Sequence, residues 1–520
     1  MISKNTASDY RDVFLIRNCH IWIIEEKIKK MSKSIKLNTI FKTLMSIVNI
    51  VFPLLTVPYV ARVLSMDGYT EYNKAVSMIT WFSPFAVFGV YTYGMRTVSQ
   101  IKNDKQAVSK LFSKLFVFSI FFSVGVTVVY LIVISFLPSF QGYRGMYAII
   151  STQLLFICFA TDWANEAYEN YGFILIKTFF CRLLYVIFVF VFVKKAEDVL
   201  IYVFLTSLSV MLNNVLTFVY TKSKIRFSRF LIKEEIILIK PLFTVFLLVN
   251  SSMLYTVFDR FVLTWFGNKL LLTYYNISQT IVLAVVNVTS SVLLVSIPRL
   301  SFFWADDKKG DYHTLLNKTS DTFMALHTPC CIGLACISTE IIYYYSGMNY
   351  IAASLPFSLF SLRYYLSAFD MILAKQVLLV TGNEKVLTKV YYIGGVYNVV
   401  AKIVLVLLDK LTPELCIITT ATADILVIIL QLMSIEKLKI QFKIFSKSIL
   451  KYLVTSLLFI PMVMTIKYLI PFNGIELITL RTLLSIIACV FIYVAMLFFT
   501  KDYVLLSVIM RRKNEKKLFC

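Results

Sequence analysis

Apolar residues run through this chain in long stretches separated by short polar segments, and each run predicts a helix able to cross a membrane, which takes about 20 mostly apolar residues. Fourteen spans are predicted, at 38–61, 72–95, 111–137, 146–168, 173–193, 199–220, 241–265, 274–298, 319–345, 352–379, 388–408, 413–435, 449–470 and 475–499. No polar stretch among them is long enough to fold as a separate domain. Pro53 to Asp104 sets the pattern. It reads as the end of a span carrying Pro53 and Pro58, an outer turn at Asp67-Gly68, a second span from Tyr72 to Tyr93, and a charged loop entered through Gly94-Met95-Arg96.

Composition agrees with the pattern: apolar residues make up 59% of the 520 and charged residues 16%, against roughly 45–50% and 25% in a soluble domain. The predicted fold is all-α, a polytopic membrane protein of about fourteen helices in two pseudo-symmetric six-helix lobes plus two C-terminal helices. The expected organisation is a cytoplasmic N-terminal extension at 1–36, an N-lobe at 37–220, a cytoplasmic interlobe loop at 221–240, a C-lobe at 241–435, helices 13 and 14 within 436–499, and a basic cytoplasmic tail at 500–520. Residues 1–36 lack a secretory cleavage pattern; Met31 reads as a natural start, and the residues before it as a leader, a tail or a basic surface helix.

The net charge of +23 would suit a nucleic-acid binder, but its distribution does not. The basic residues gather in alternate loops, including Lys102, Lys105 and Lys110, then Lys222, Lys224 and Arg226, then Lys437, Lys439 and Lys443, whereas turns such as 138–145, 266–273 and 346–351 hold one basic residue or none. That asymmetry places the basic loops and both termini in the cytoplasm. No nucleic-acid partner is expected.

An internal repeat with unchanged orientation is expected as well. Arg96, Asp104, Lys105 and Lys114 are matched by Arg299, Asp307, Lys308 and Lys318, and Arg62, Gly68, Tyr72 and Asn73 by Arg260, Gly267, Tyr275 and Asn276. Such spacing suits parallel halves related by an axis along the membrane normal.

Ionisable groups inside the spans are the informative residues, because each costs about 2.5–3.5 kcal/mol to insert and those that persist tend to face protein or a water-filled cavity. Near the midplane lie Arg182, Arg363 and Asp424, with Lys402 and Asp370 somewhat off it, Lys42 near the inner end of the first span, and Asp259 and Arg260 in the outer third of the seventh. Lys42, Arg182, Arg260, Arg363 and Lys402 are candidates for a cationic, anion-binding cavity; Arg62, Arg96, Asp259 and Arg299 for outer and inner gates; and Asp259, Asp370 and Asp424 for carrying a coupling ion. For any one of them the alternative is a structural pair that holds helices together, and for Arg96 and Arg299 ordinary anchoring in the cytoplasmic interface.

The nine Cys and three His show no ligand spacing, so neither a metal site nor a disulfide framework is expected, and no cofactor is. No Gly-rich phosphate loop, nucleophile elbow or large acidic outer loop occurs, which argues against an enzyme.

The Pro53–Asp104 stretch, with Ile239-Lys240-Pro241, Asp259-Arg260, Tyr274-Tyr275, Ile297-Pro298-Arg299, Asp162-Trp163 and Gly382-Asn383-Glu384-Lys385, resembles the polysaccharide-transporter family of bacterial flippases, the O-antigen and capsule repeat-unit exporters of the multidrug/oligosaccharidyl-lipid/polysaccharide superfamily. The similarity runs from about Met31 to Ile470 and rests on order and spacing rather than on one motif. Thr70 departs from the family's tendency to a second Gly there. The resemblance implies a two-lobed fourteen-helix transporter of the bacterial inner membrane. It would carry an undecaprenyl-pyrophosphate-linked oligosaccharide across by alternating access, as a monomer, with membrane lipids around it and a polysaccharide polymerase and chain-length regulator as partners. Two other readings stay open: a cation-coupled multidrug or metabolite antiporter of the same superfamily, for which an acidic cavity would be expected, and an integral-membrane polymerase or glycosyltransferase, for which the outer loops are short.

Overall fold

The computed structural model of the chain describes residues 35–228, 236–250, 253, 257–438 and 446–502. Among them the regular structure is helical throughout. In order the helices are α1 (Ile35–Val63), α2 (Met66–Val87), α3 (Val90–Ile101), α4 (Lys105–Phe136), α5 (Arg144–Leu155), α6 (Asp162–Ala167), α7 (Tyr171–Phe192), α8 (Val199–Lys224), α9 (Ile236–Val249) and α10 (Phe258–Phe266). They continue with α11 (Lys269–Ala305), α12 (Lys309–Cys336), α13 (Ser338–Ser346), α14 (Ser354–Ile372), α15 (Glu384–Leu407), α16 (Pro413–Lys437), α17 (Lys447–Leu457), α18 (Phe459–Leu469) and α19 (Gly474–Phe499). Among the described residues ten segments are long and apolar enough to cross a membrane, eleven if α12 and α13, bent by 77° where they join, form one span. Outward-facing side chains such as Phe121, Phe136, Leu407 and Phe491 are apolar and at least 70% exposed, an exterior that hydrocarbon solvates and water does not. The chain is a multi-pass membrane protein.

Two compact units divide it. The first contains 1–56 and 82–249. Its core gathers Val98, Phe112, Leu115, Trp163 and Leu242. The second contains 57–81 and 250–520, with a core of Leu293, Leu300, Tyr312, Phe323, Leu373 and Tyr452.

Details of the Pro53–Asp104 stretch differ from expectation. The turn is at Leu64-Ser65, and Asp67 and Gly68 already belong to α2. The Ser65 hydroxyl accepts the Gly68 amide at 3.2 Å, as a capping serine does. The span expected at 72–95 lies within one membrane-crossing segment, Met66–Ile101, whose helix is interrupted locally at Phe88 and Gly89, with φ angles of 42° and 76°. Pro84 lies within the last turn of α2, where it withholds an amide from the ladder. Gly89 is needed for space as well as for φ, since a Cβ there would sit 2.6 Å from the Leu242 carbonyl oxygen and 2.9 Å from the Phe246 nitrogen. Gly94 opens no loop: α3 continues to Ile101, and the glycine makes room for the Trp163 ring, 2.6 Å from where a Cβ would stand.

Two other differences are local. Across the span expected at 241–265 the described residues hold two helices, α9 and α10. The matched loops of the expected repeat also end differently. Asp104 caps α4, accepting the Gln106 and Ala107 amides at 2.9 and 3.0 Å, whereas Asp307 stands at φ 54° and α12 begins without a side-chain cap.

Candidate functional site

In the second unit α10, α11, α14, α15 and α16 bring together most of the charges singled out in the sequence. Arg363 on α14 directs Nε to Asp424 Oδ2 at 2.8 Å and Nη2 to Asp424 Oδ1 at 3.4 Å. One turn on, Ser367 donates to the same Oδ2 at 3.1 Å. Both ions are almost wholly buried. The guanidinium is thus held by a carboxylate of α16.

Asp370, two turns beyond Arg363 on the same helix, is buried without such a partner. Tyr391 Oη donates to its Oδ1 at 3.1 Å and Gln431 Nε2 to the same oxygen at 2.7 Å. Among the described residues it makes no ion pair. Neutral donors tolerate a carboxylate and a carboxylic acid alike, which is the arrangement a proton-exchanging group needs.

Asp259 and Arg260 are adjacent on α10 and therefore reach different neighbours. Asp259 Oδ1 faces the Lys402 ammonium of α15 at 3.2 Å. Its Oδ2 accepts from Tyr275 of α11 at 3.0 Å and Thr420 of α16 at 2.7 Å. The half-buried Arg260 turns to α11 instead, where Nε donates to Gln279 Oε1 at 2.8 Å and Nη2 to the same oxygen. Its partner is neutral, and among the described residues Arg260 makes no ion pair. Lys402 and Arg363 are held by carboxylates inside the unit; Arg260 is held by an amide oxygen.

The remaining residues are placed as follows. Arg62, at the end of α1 and within the second unit, donates to the Tyr343 carbonyl at 3.3 Å and to that of Tyr344, at the C-terminal end of α13. Those carbonyls lack helical partners and attract a cation. Asp67 and Glu71 are paired with Lys269, the latter at 3.5 Å. Arg299 is exposed on α11 with its guanidinium over the Phe303 ring at 5.4 Å. In the first unit Arg96 is exposed on α3 and Arg182 half-buried on α7. Lys42 lies on α1, its side chain outside the described residues.

Two buried clusters escaped sequence reasoning. Glu340 of α13 is fully buried, with Arg481 of α19 at 2.6 Å through Nε and 2.5 Å through Nη2, and Lys467 of α18 at 3.2 Å. In the first unit Lys177 of α7 binds Asp162 of α6 at 2.9 Å and the Thr217 hydroxyl of α8. The partners sit on different helices, and the sequence does not say which opposite charges meet.

Residues 35–304 match a family described as polysaccharide biosynthesis protein. A protein of Shigella dysenteriae described as a candidate O-antigen transporter is 22% identical over 357 residues, covering 67% of this chain and 87% of that one. Among solved structures, a lipid II flippase MurJ in an inward closed conformation is similar with a TM-score of 0.69 at 17% identity, covering 90% of this chain and 99% of its own. An inward-facing multidrug MATE transporter is similar with a TM-score of 0.56 at 12% identity, covering 76% and 99%. At these identities the structural likeness concerns the fold alone.

Proposed function

We propose that this chain, which belongs to the polysaccharide biosynthesis protein family, is a flippase carrying an undecaprenyl-pyrophosphate-linked oligosaccharide, an O-antigen or capsule repeat unit, from the inner to the outer leaflet of a bacterial cytoplasmic membrane. It works by alternating access, with both termini in the cytoplasm, and catalyses no covalent step. A polysaccharide polymerase and a chain-length regulator would receive its product, and the monomer is the working unit.

The observation that carries this reading is the uneven compensation of buried charge. Arg363 and Lys402 are matched by carboxylates in ion pairs, while the hydrogen-bond partner of the Arg260 guanidinium among the described residues is the neutral Gln279. A forked guanidinium that is not engaged in an ion pair favours a diphosphate over a cationic drug, and so favours the flippase over the antiporter. The Arg62 contacts with α13 and the Lys269 pairs with Asp67 and Glu71 support an outer gate, and Asp370 supports coupling to protons.

The test is initial-rate flipping of a lipid-linked diphosphate oligosaccharide in proteoliposomes. Arg260→Gln is expected to lower the rate roughly tenfold or more, the worth of a charged hydrogen bond. An unchanged rate in folded Arg260→Gln, or drug efflux with no flipping by the wild type, overturns the assignment.

A further inference from the structure

The Lys402 ammonium is surrounded by oxygen. Asp259 Oδ1 lies at 3.2 Å, Asn398 Oδ1 at 3.1 Å, the Cys416 carbonyl at 2.7 Å and Thr420 Oγ1 at 3.0 Å, with the Thr419 hydroxyl also in contact. An ammonium has three protons, so five directed hydrogen bonds cannot coexist on it. What all five oxygens share is the positive charge. One carboxylate, one amide, one carbonyl and two hydroxyls make a ligand set suited to a hard cation, and the single carboxylate matches a charge of one. Asp259, Asn398, Lys402 and Thr420 are wholly buried, so no bulk water completes the shell.

The walls of this cage are positioned by bonds in which Lys402 takes no part. Asp259 is oriented by Tyr275 at 3.0 Å, Thr420 at 2.7 Å and Asn398 at 3.3 Å. The Thr419 hydroxyl is anchored in its own helix, donating to the Leu415 carbonyl at 2.8 Å, while Thr420 commits its one proton to Asp259. Asn398 and Lys402 stand one turn apart on α15, so the lysine stem delivers its head to oxygens from α10, α15 and α16 at once. An ordinary ion pair needs only Asp259; here three helices converge on one charge.

We propose that Lys402 is a tethered monovalent cation that permanently fills an oxygen cage in the second unit, so that the unit neutralises Asp259 and joins α10, α15 and α16 without a free ion. Shortening residue 402 turns the cage into a binding site for a small monovalent cation. Ion dependence of transport, where it exists, then enters elsewhere than Asp259. The proposal does not depend on which substrate the protein moves, and its test uses no transport assay.

The experiment compares melting temperatures of the purified full-length protein in about 100 mM ammonium, sodium, potassium or choline chloride, choline being too large for the cage, because a ligand that binds only the folded state raises its stability. The wild type is expected to melt at the same temperature in all four. Lys402→Ala and Lys402→Met should melt lower than wild type in choline and rise by roughly 3 °C or more in at least one of the small cations. Adding Asp259→Asn should abolish that rise. Folded variants indifferent to the salt overturn the proposal, as does a wild type stabilised by a small cation through Asp259. If neither variant yields folded protein in any salt, a free cation does not replace the ammonium and the proposal falls.

Discussion

The Arg363–Asp424 pair allows a calculation with a sharp outcome. At 2.8 Å and an effective dielectric of about 20, the attraction amounts to roughly 6 kcal/mol. Desolvation costs several kcal/mol for each ion, so a buried pair roughly breaks even against apolar residues of similar size, while removal of one partner costs about 3–5 kcal/mol because the other stays buried and unmatched. Ser367 offers Asp424 one neutral hydrogen bond, too little to replace the guanidinium. Arg363→Met and Asp424→Leu should each lower the melting temperature of the purified protein by roughly 6–20 °C, at about 2–4 °C per kcal/mol. The double variant should return to within a few degrees of wild type. The assay is a thermal scan in detergent at one fixed rate, since unfolding of such a protein is governed by its rate. A double variant as labile as the singles would refute the reasoning. A stable double variant that no longer flips its substrate would show that Arg363 holds the substrate and is not an internal counter-ion.

Asp370→Asn should leave the melting temperature nearly unchanged, because an amide oxygen can still accept from Tyr391 and Gln431, while flipping loses its dependence on a proton gradient; unaltered dependence sinks the coupling role. Arg62→Ala removes the cation from the end of α13 and should increase labelling of a cysteine placed at Tyr343 by a membrane-impermeant reagent, with equal labelling counting against the gate. Gly89→Ala combines a left-handed φ with a Cβ 2.6 Å from the Leu242 carbonyl, so it should destabilise by about 1–3 kcal/mol, measured in the same thermal scan; a wild-type melting temperature would be the contrary result.

Apolarity and the alternation of basic loops made the membrane helices legible, because both act along the chain, in the order in which residues occur. The break at Phe88-Gly89 was not legible, since it depends on the Leu242 and Phe246 backbones far along the sequence, and apolarity continues straight across it. Lys402 and Arg363 could be recognised as intramembrane charges, but the sequence cannot say what stands opposite. Their carboxylates come from other helices, and that changes them from exposed cations into internal counter-ions. Asp370 differs from Asp424 only in its neighbours: Tyr391 and Gln431 are neutral, and Arg363 is not. Glu340, Arg481 and Lys467 went unread for the same reason, their partners lying on different helices.

The Glu340 cluster also has a history in time. Arg481 follows Glu340 by 141 residues, so at about 5–20 residues per second the acid emerges from the ribosome roughly 7–30 s before its principal cation. During that interval α13 carries a carboxylate that favours water over hydrocarbon, and only the arrival of α18 and α19 gives it a partner. A nascent chain cut short before α18 is therefore left with a marked defect in its interior, open to quality-control proteolysis, so that completion of the last two helices is the step that makes the rest of the second unit worth keeping.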